Sequence, residues 1–202
     1  MKTPDKTILV TGFSPFPGAP VNPTQVLMHR LPKRLSNRET GIDFVFRVLP
    51  TTWAARADTT ARLLEELQPD AVVHFGLDGT RRTINIETRA VNRATRIRPD
   101  ASGRKPAQPV LTPGAVRYRP ATLPARPLRD AALSAGAPAK ISADAGTYLC
   151  NATLWDTLGS GTPAIFVHVP SLPRGRHDRR PGFTLIEEAA VRILLETARR
   201  LR

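Results

Sequence analysis

The chain has 202 residues, 41% of them hydrophobic and 5% aromatic, and 30 Lys and Arg against 17 Asp and Glu give a net charge of +13. That is enough apolar material to bury the core of one domain and too much for wholesale disorder, and no apolar run reaches the roughly 20 residues of a membrane span. A single cysteine excludes an internal disulfide framework and a cysteine-rich zinc site, and points to a reducing cytosol.

In chain order, the polar start leads into Ile8-Leu9-Val10, an apolar stretch too short for a signal-peptide core that reads as a first buried strand. Thr11-Gly12 opens a loop, and Asn22-Pro23-Thr24 opens a helix over residues 25–31. Residues 42–49 have the period of a strand: Ile42, Phe44, Phe46 and Val48 share one face, Asp43 and Arg47 the other. Residues 54–67 are helical, with Ala61, Leu64 and Leu67 on one face. Residues 71–76 form a buried strand and 83–90 a shorter one. Residues 97–127 are rich in proline and polar side chains and predict a long surface excursion. A helix over 128–135, a strand over 139–142, a helix over 151–158, a buried strand over 164–169 and an amphipathic helix over 183–201 complete the chain. This alternation predicts the α/β class: a three-layer α/β/α sandwich around a central mixed, mostly parallel sheet, as a single domain over residues 1–202.

The loop from Gly12 to Gly18 lacks the G-x-G-x-x-G spacing of a dinucleotide site. Its two phenylalanines, Phe13 and Phe16, are either core packing or the apolar wall of a pocket at the carboxyl end of a strand, where open α/β sheets bind ligands. Cys150 stands at the start of a predicted helix, whose dipole favours a thiolate. His168 lies at the end of the following strand. In an α/β unit, helix start and strand end meet at one edge of the sheet, so these two could form the nucleophile–base pair of acyl transfer. Taken singly, a lone cysteine is more often a small buried hydrophobe, and a strand-end histidine more often completes a core edge. His29, His74 and His177 are rival histidines. Glu87 shares a strand face with Asn85, opposite Ile84 and Ile86. It either orients an imidazole or pairs with Arg89 at the surface. The charge keeps a nucleic-acid-binding domain in view, but the arginines are spread along the chain and aromatics do not interleave with them.

Four motifs in order carry a resemblance. Val10-Thr11-Gly12-Phe13-Ser14-Pro15-Phe16 with Asn22-Pro23, the spacing from Gly76 to Glu87, Gly146-Thr147-Tyr148-Leu149-Cys150-Asn151, and Phe166-Val167-His168-Val169-Pro170 resemble the signatures of the pyroglutamyl peptidase I family, cysteine exopeptidases also called pyrrolidone-carboxylate peptidases. The resemblance spans nearly the whole chain. It implies Cys150 as nucleophile, His168 as general base and acid, and Glu87 as the carboxylate that orients it. It also implies a lactam pocket of Phe13, Phe16, Tyr148 and Leu149. The family's arginine–isoleucine pair maps onto Arg96 and Ile97, one place out of register with Glu87, and Thr88 stands where the family usually has a basic residue. The implied partners are peptides with an N-terminal pyroglutamate. No metal or cofactor, no membrane and no specific nucleic acid is expected, and the location is cytoplasmic with self-association into a homo-oligomer. A backbone N–H in the first loop is the expected donor to the lactam oxo group. The alternatives are a catalytically degraded member that only binds such peptides, a cysteine hydrolase of the same fold acting on another lactam or amide, and the basic nucleic-acid-binding domain.

Overall fold

Strands that are apolar on both faces need cover on both sides, and the chain supplies it with alternating helices. The computed structural model describes residues 6–35 and 41–201. Its strands are β1 (Lys6–Phe13), β2 (Ile42–Leu49), β3 (Ala71–Leu77), β4 (Ile84–Glu87), β5 (Arg89–Val91), β6 (Tyr118–Pro120), β7 (Ala139–Ser142) and β8 (Ala164–Val169). Its helices are α1 (Pro23–Arg30), α2 (Trp53–Leu67), α3 (Ala125–Ser134), α4 (Leu149–Gly159) and α5 (Phe183–Leu201). The main sheet has the order β2-β1-β3-β8-β4-β7. Neighbours pair in parallel throughout except at β4·β8, which is antiparallel.

Period two decides which layer each side chain enters. Ile8, Val10, Val73, Phe75, Ile84, Ile86, Ile165 and Val167 pack against α1, α3 and α5. Leu9, Val72 and Phe166 pack with Leu63 of α2 and with Leu149, Leu154 and Trp155 of α4. The buried polar side chains Thr11, His74, Asn85, Glu87 and His168 alternate onto this second face, as does Gly76.

The run 83–90 divides at Thr88. Its first half joins the main sheet, while Arg89–Val91 turns away to pair antiparallel with Tyr118–Pro120. The proline-rich excursion therefore returns as the second strand of a small ribbon. The buried face of α2 is Arg56, Thr60 and Leu63; Ala61 is exposed, and Leu64 and Leu67 are half-buried. The apolar stripe read from the sequence misses this because Arg56, 3% exposed, is drawn inward by an ion pair to Asp156 of α4 at 2.6 Å.

Candidate active site

The first loop is fixed by α1. Asn22 caps the helix by accepting from the Thr24 N–H at 3.1 Å, and its amide donates to the Ser14 carbonyl at 3.2 Å. The Thr24 hydroxyl oxygen accepts from the Phe13 N–H at 3.0 Å. A Cβ on Gly12 would overlap the Thr24 carbonyl, so glycine is what lets α1 approach this closely. Phe13 ends up buried, its ring 6.3 Å from that of Phe166, which in turn lies 4.8 Å from the His168 ring. Phe16 is half-buried on a bridge to Ala19 and makes no close ring contact among the described residues.

Most backbone donors of the first loop are already engaged, which narrows the expected donor to the oxo group. The N–H groups of Phe13, Ser14, Phe16 and Ala19 are already committed, to Thr24, Leu49, Ala19 and Phe16 respectively. Pro15 and Pro17 have none to give. Between residues 13 and 19, Gly18 alone keeps a free N–H among the described residues.

On β8, His168 is paired in register with Gly76 on one side and Asn85 on the other. Glu87 lies opposite Phe166, so Glu87 and His168 are diagonal neighbours on one face, and the sheet brings His168 Nδ1 to 2.9 Å from Glu87 Oε1. Both residues are buried, at 3% and 0% exposure. This bond directs Nδ1 at the carboxylate and leaves Nε2 for the opposite side of the ring.

The sulfur comes to the same sheet face from α4, over Gly76, the register partner of His168. Cys150 sits inside the first turn, because the helix begins two residues earlier than its apolar pattern predicts, with Tyr148 as N-cap. The helix starts on the sheet face that carries Gly76, and a Cβ there would lie 2.9 Å from Cys150 Sγ and 2.5 Å from Phe166 Cζ. The missing side chain of Gly76 is thus the space the thiol occupies. Burial alone would push the His168 imidazolium down, but interaction with the Cys150 sulfur, by charge and by hydrogen bond, and with Glu87 outweighs it and holds the ring well above its ordinary pKa. The N–H groups of Leu149 and Cys150 have no acceptor among the described residues, as expected at a helix start.

Two further residues brace the site. Arg81 donates from Nε to Asp78 Oδ2 at 2.9 Å and from Nη2 to the Asp144 carbonyl at 2.7 Å, and Nη2 lies 3.9 Å from Glu87 Oε1. The Asp144 N–H donates to Glu87 Oε2 at 3.2 Å. Asn151, fully buried, accepts from the Val91 N–H and donates to the carbonyls of Val91 and Arg93. It ties the strand leaving Glu87 to the helix carrying Cys150. Neither residue stands out in the sequence. Arg81 is one of many arginines, and only the motif neighbour Cys150 draws attention to Asn151.

The remaining expected positions divide. Tyr148 lies edge-on to Trp53, with ring centroids 5.6 Å apart, and donates from its hydroxyl to the Pro99 carbonyl at 2.9 Å. The Leu149 side chain is 1% exposed and belongs to the core. Arg96 is exposed and Ile97 is 90% exposed, so neither is packed into the Cys150–His168–Glu87 group. Of the rival histidines, His29 and His177 are exposed. His74 is buried between Thr11 and Thr157, at 2.7 and 3.0 Å.

A family model described as pyroglutamyl peptidase matches residues 6–200. A pyrrolidone-carboxylate peptidase of Gloeobacter violaceus is 37% identical over 201 residues, covering 95% of this chain and 96% of the relative. One from Pyrococcus furiosus is 35% identical over 205 residues, covering 95% and 97%. The solved pyrrolidone carboxyl peptidase from Thermococcus litoralis superposes with a TM-score of 0.87 at 31% identity, covering 97% of this chain and 94% of its own.

Proposed function

The chain belongs to the pyroglutamyl peptidase family, and from that premise we propose that it is a cysteine exopeptidase that hydrolyses the amide bond after an N-terminal pyroglutamyl residue through Cys150, His168 and Glu87. The observation that carries the reading is the arrangement on one sheet face: Glu87 on His168 Nδ1 at 2.9 Å, and the Cys150 sulfur over Gly76, the register partner of His168.

The Cys150 thiolate attacks the carbonyl carbon of the scissile amide. The oxyanion that develops is met by the Leu149 and Cys150 N–H groups at the start of α4. The His168 imidazolium gives its Nε2 proton to the leaving nitrogen, the C–N bond breaks and a thioester remains. Water then attacks the thioester while neutral His168 takes its proton. The thiolate leaves and free pyroglutamate departs. Glu87 keeps the ring in one tautomer and orientation throughout. These steps call on no metal or cofactor. The lactam ring is flat and uncharged, which suits the apolar wall that Phe13 and Phe16 provide. An ordinary N-terminal ammonium would be buried there without a partner, at high cost. We assign the activity to one catalytic domain over residues 1–202, working in the cytoplasm, with self-association as the family resemblance implies.

Release of the chromophore from a pyroglutamyl anilide tests the assignment. The wild type is expected to turn over, Cys150→Ser to lose activity entirely, and His168→Ala to lose roughly 10²–10⁴-fold. Retained turnover in Cys150→Ser overturns the nucleophile. An inert but folded wild type favours the member that binds without cleaving.

A further inference from the structure

Residues 93–105 carry five cationic side chains, Arg93, Arg96, Arg98, Arg104 and Lys105, against one carboxylate, Asp100. All five are exposed, whereas Asp100 is 4% exposed. Asp100 Oδ1 accepts from the Ser102 N–H, the Ser102 hydroxyl and the Arg104 N–H, and Oδ2 accepts from the Trp53 N–H. The carboxylate is therefore committed to holding the loop. Further ties run from the Thr95 N–H to the Thr147 carbonyl at 2.7 Å, from the Ala101 N–H to the Thr51 carbonyl at 3.0 Å, and from the Tyr148 hydroxyl to the Pro99 carbonyl. They fasten the loop to the segment that leads into the nucleophile and to the start of α2, whose Trp53 lies edge-on to Tyr148.

On this tethered loop Arg98 lies with its guanidinium carbon 5.8 Å from the centre of the Tyr148 ring. Tyr148 is the residue that caps α4, two positions before Cys150. Burial first, then the charges of Asp100 and Cys150, push the phenol up to about 12, while the charge of Arg98 works against them. Sulfur, phenol and guanidinium thus share one electrostatic neighbourhood. Arg98 has no carboxylate partner among the described residues. The lactam is uncharged and offers this cation no opposite charge. Within a substrate, a charge to match it comes from the peptide beyond the scissile bond.

We propose that Arg98 forms a subsite for the leaving peptide and that the preferred substrates carry an acidic side chain immediately after the pyroglutamyl residue. This rests on the peptidase reading and extends it to a substrate class. An exposed cation–carboxylate pair gives a modest preference, about threefold, which salt screens.

The test compares kcat/KM for three peptides that differ only after pyroglutamate, with Glu, Gln or Lys, alongside the anilide. At low salt the wild type is expected to rank Glu above Gln above Lys, with the Glu/Gln ratio near three and falling toward one as salt rises. Arg98→Gln should bring the ratio to one at low salt, and Arg98→Glu should favour Lys. Equal rates for the three peptides from a wild type that cleaves the anilide overturn the subsite alone, as does a ratio unchanged in Arg98→Gln. A folded wild type inert toward peptides and anilide overturns the peptidase reading, and the subsite with it.

Discussion

The carboxylate behind His168 does its work at one atom. Glu87 Oε1 stabilises the charged imidazole, so replacing it with a neutral amide lowers the pKa of the ring. The wild type should stay active well above pH 6.5, because the general acid keeps its proton there. In Glu87→Gln the alkaline fall in kcat/KM should move to lower pH; an unmoved limb would mean that the carboxylate does not tune His168. Arg81 acts one step further back. By holding Asp78, the Asp144 carbonyl and one oxygen of Glu87, it fixes the carboxylate without facing the lactam. Arg81→Met is expected to lower kcat about tenfold with KM for the anilide little changed, and loss confined to KM would contradict this role. That the start of the helix carrying Cys150 and the end of the strand carrying His168 come together was legible in the sequence, because helix starts and strand ends share an edge in an α/β unit. Arg81 and Asn151 were not: Arg81 meets the carboxylates of Asp78 and Glu87 and the Asp144 carbonyl, and Asn151 the backbone of Val91 and Arg93, contacts that leave no periodic trace.

Elements constrain each other through a few tight places. Strands 42–49, 139–142 and 164–169 and the last helix stand where the sequence reading puts them; alternation marks the first strand, a continuous apolar run the third, and amphipathicity the helix. The division of 83–90 was hidden, since both halves have strand-like composition and only pairing with residues 118–120 separates them. Gly76 is the tightest of these places. Gly76→Ala sets a methyl against Cys150 Sγ and Phe166 and should cost about 1–3 kcal/mol together with activity, read from chemical denaturation and the anilide assay. His74 links β1, β3 and α4. The Thr157 hydroxyl spends its proton on the Thr153 carbonyl and so accepts from His74 Nε2–H, while Nδ1 accepts from Thr11. The ring is neutral, held down to about 3 by burial and then by Arg56. An unfolded chain would protonate His74 near its ordinary value and the folded one would not. This part of the stability is present above pH 6.5 and is lost as pH falls from there toward 3, by up to about 1.4 kcal/mol per unit. His74→Gln should flatten that slope in urea midpoints measured between pH 7 and 5.

Across the whole molecule, helices from opposite ends of the chain are fastened on one side of the sheet. Arg30 of α1 meets Glu187 of α5 at 2.7 Å, and Arg34 meets Glu188 at 2.7 Å. Glu187 is 2% exposed while its partner Arg30 stays 59% exposed, so the carboxylate is buried and depends on a cation at the surface. Glu187→Ala should cost about 1–2 kcal/mol, seen as a fall in Tm of about 2–4 °C per kcal/mol for a chain of this length. The active centre lies on the other face, so the same variant should keep its pH profile. The imidazole and its carboxylate are built into sheet strands, whereas the surface that greets the departing peptide hangs from Tyr148, Thr147, Thr51 and Trp53. On the proposed reading, catalytic hardware and client selection sit on separate parts of the chain, so that exchanging the hanging segment for one of another sequence, with its anchor points kept, is expected to change which peptides are preferred more than the rate on the anilide.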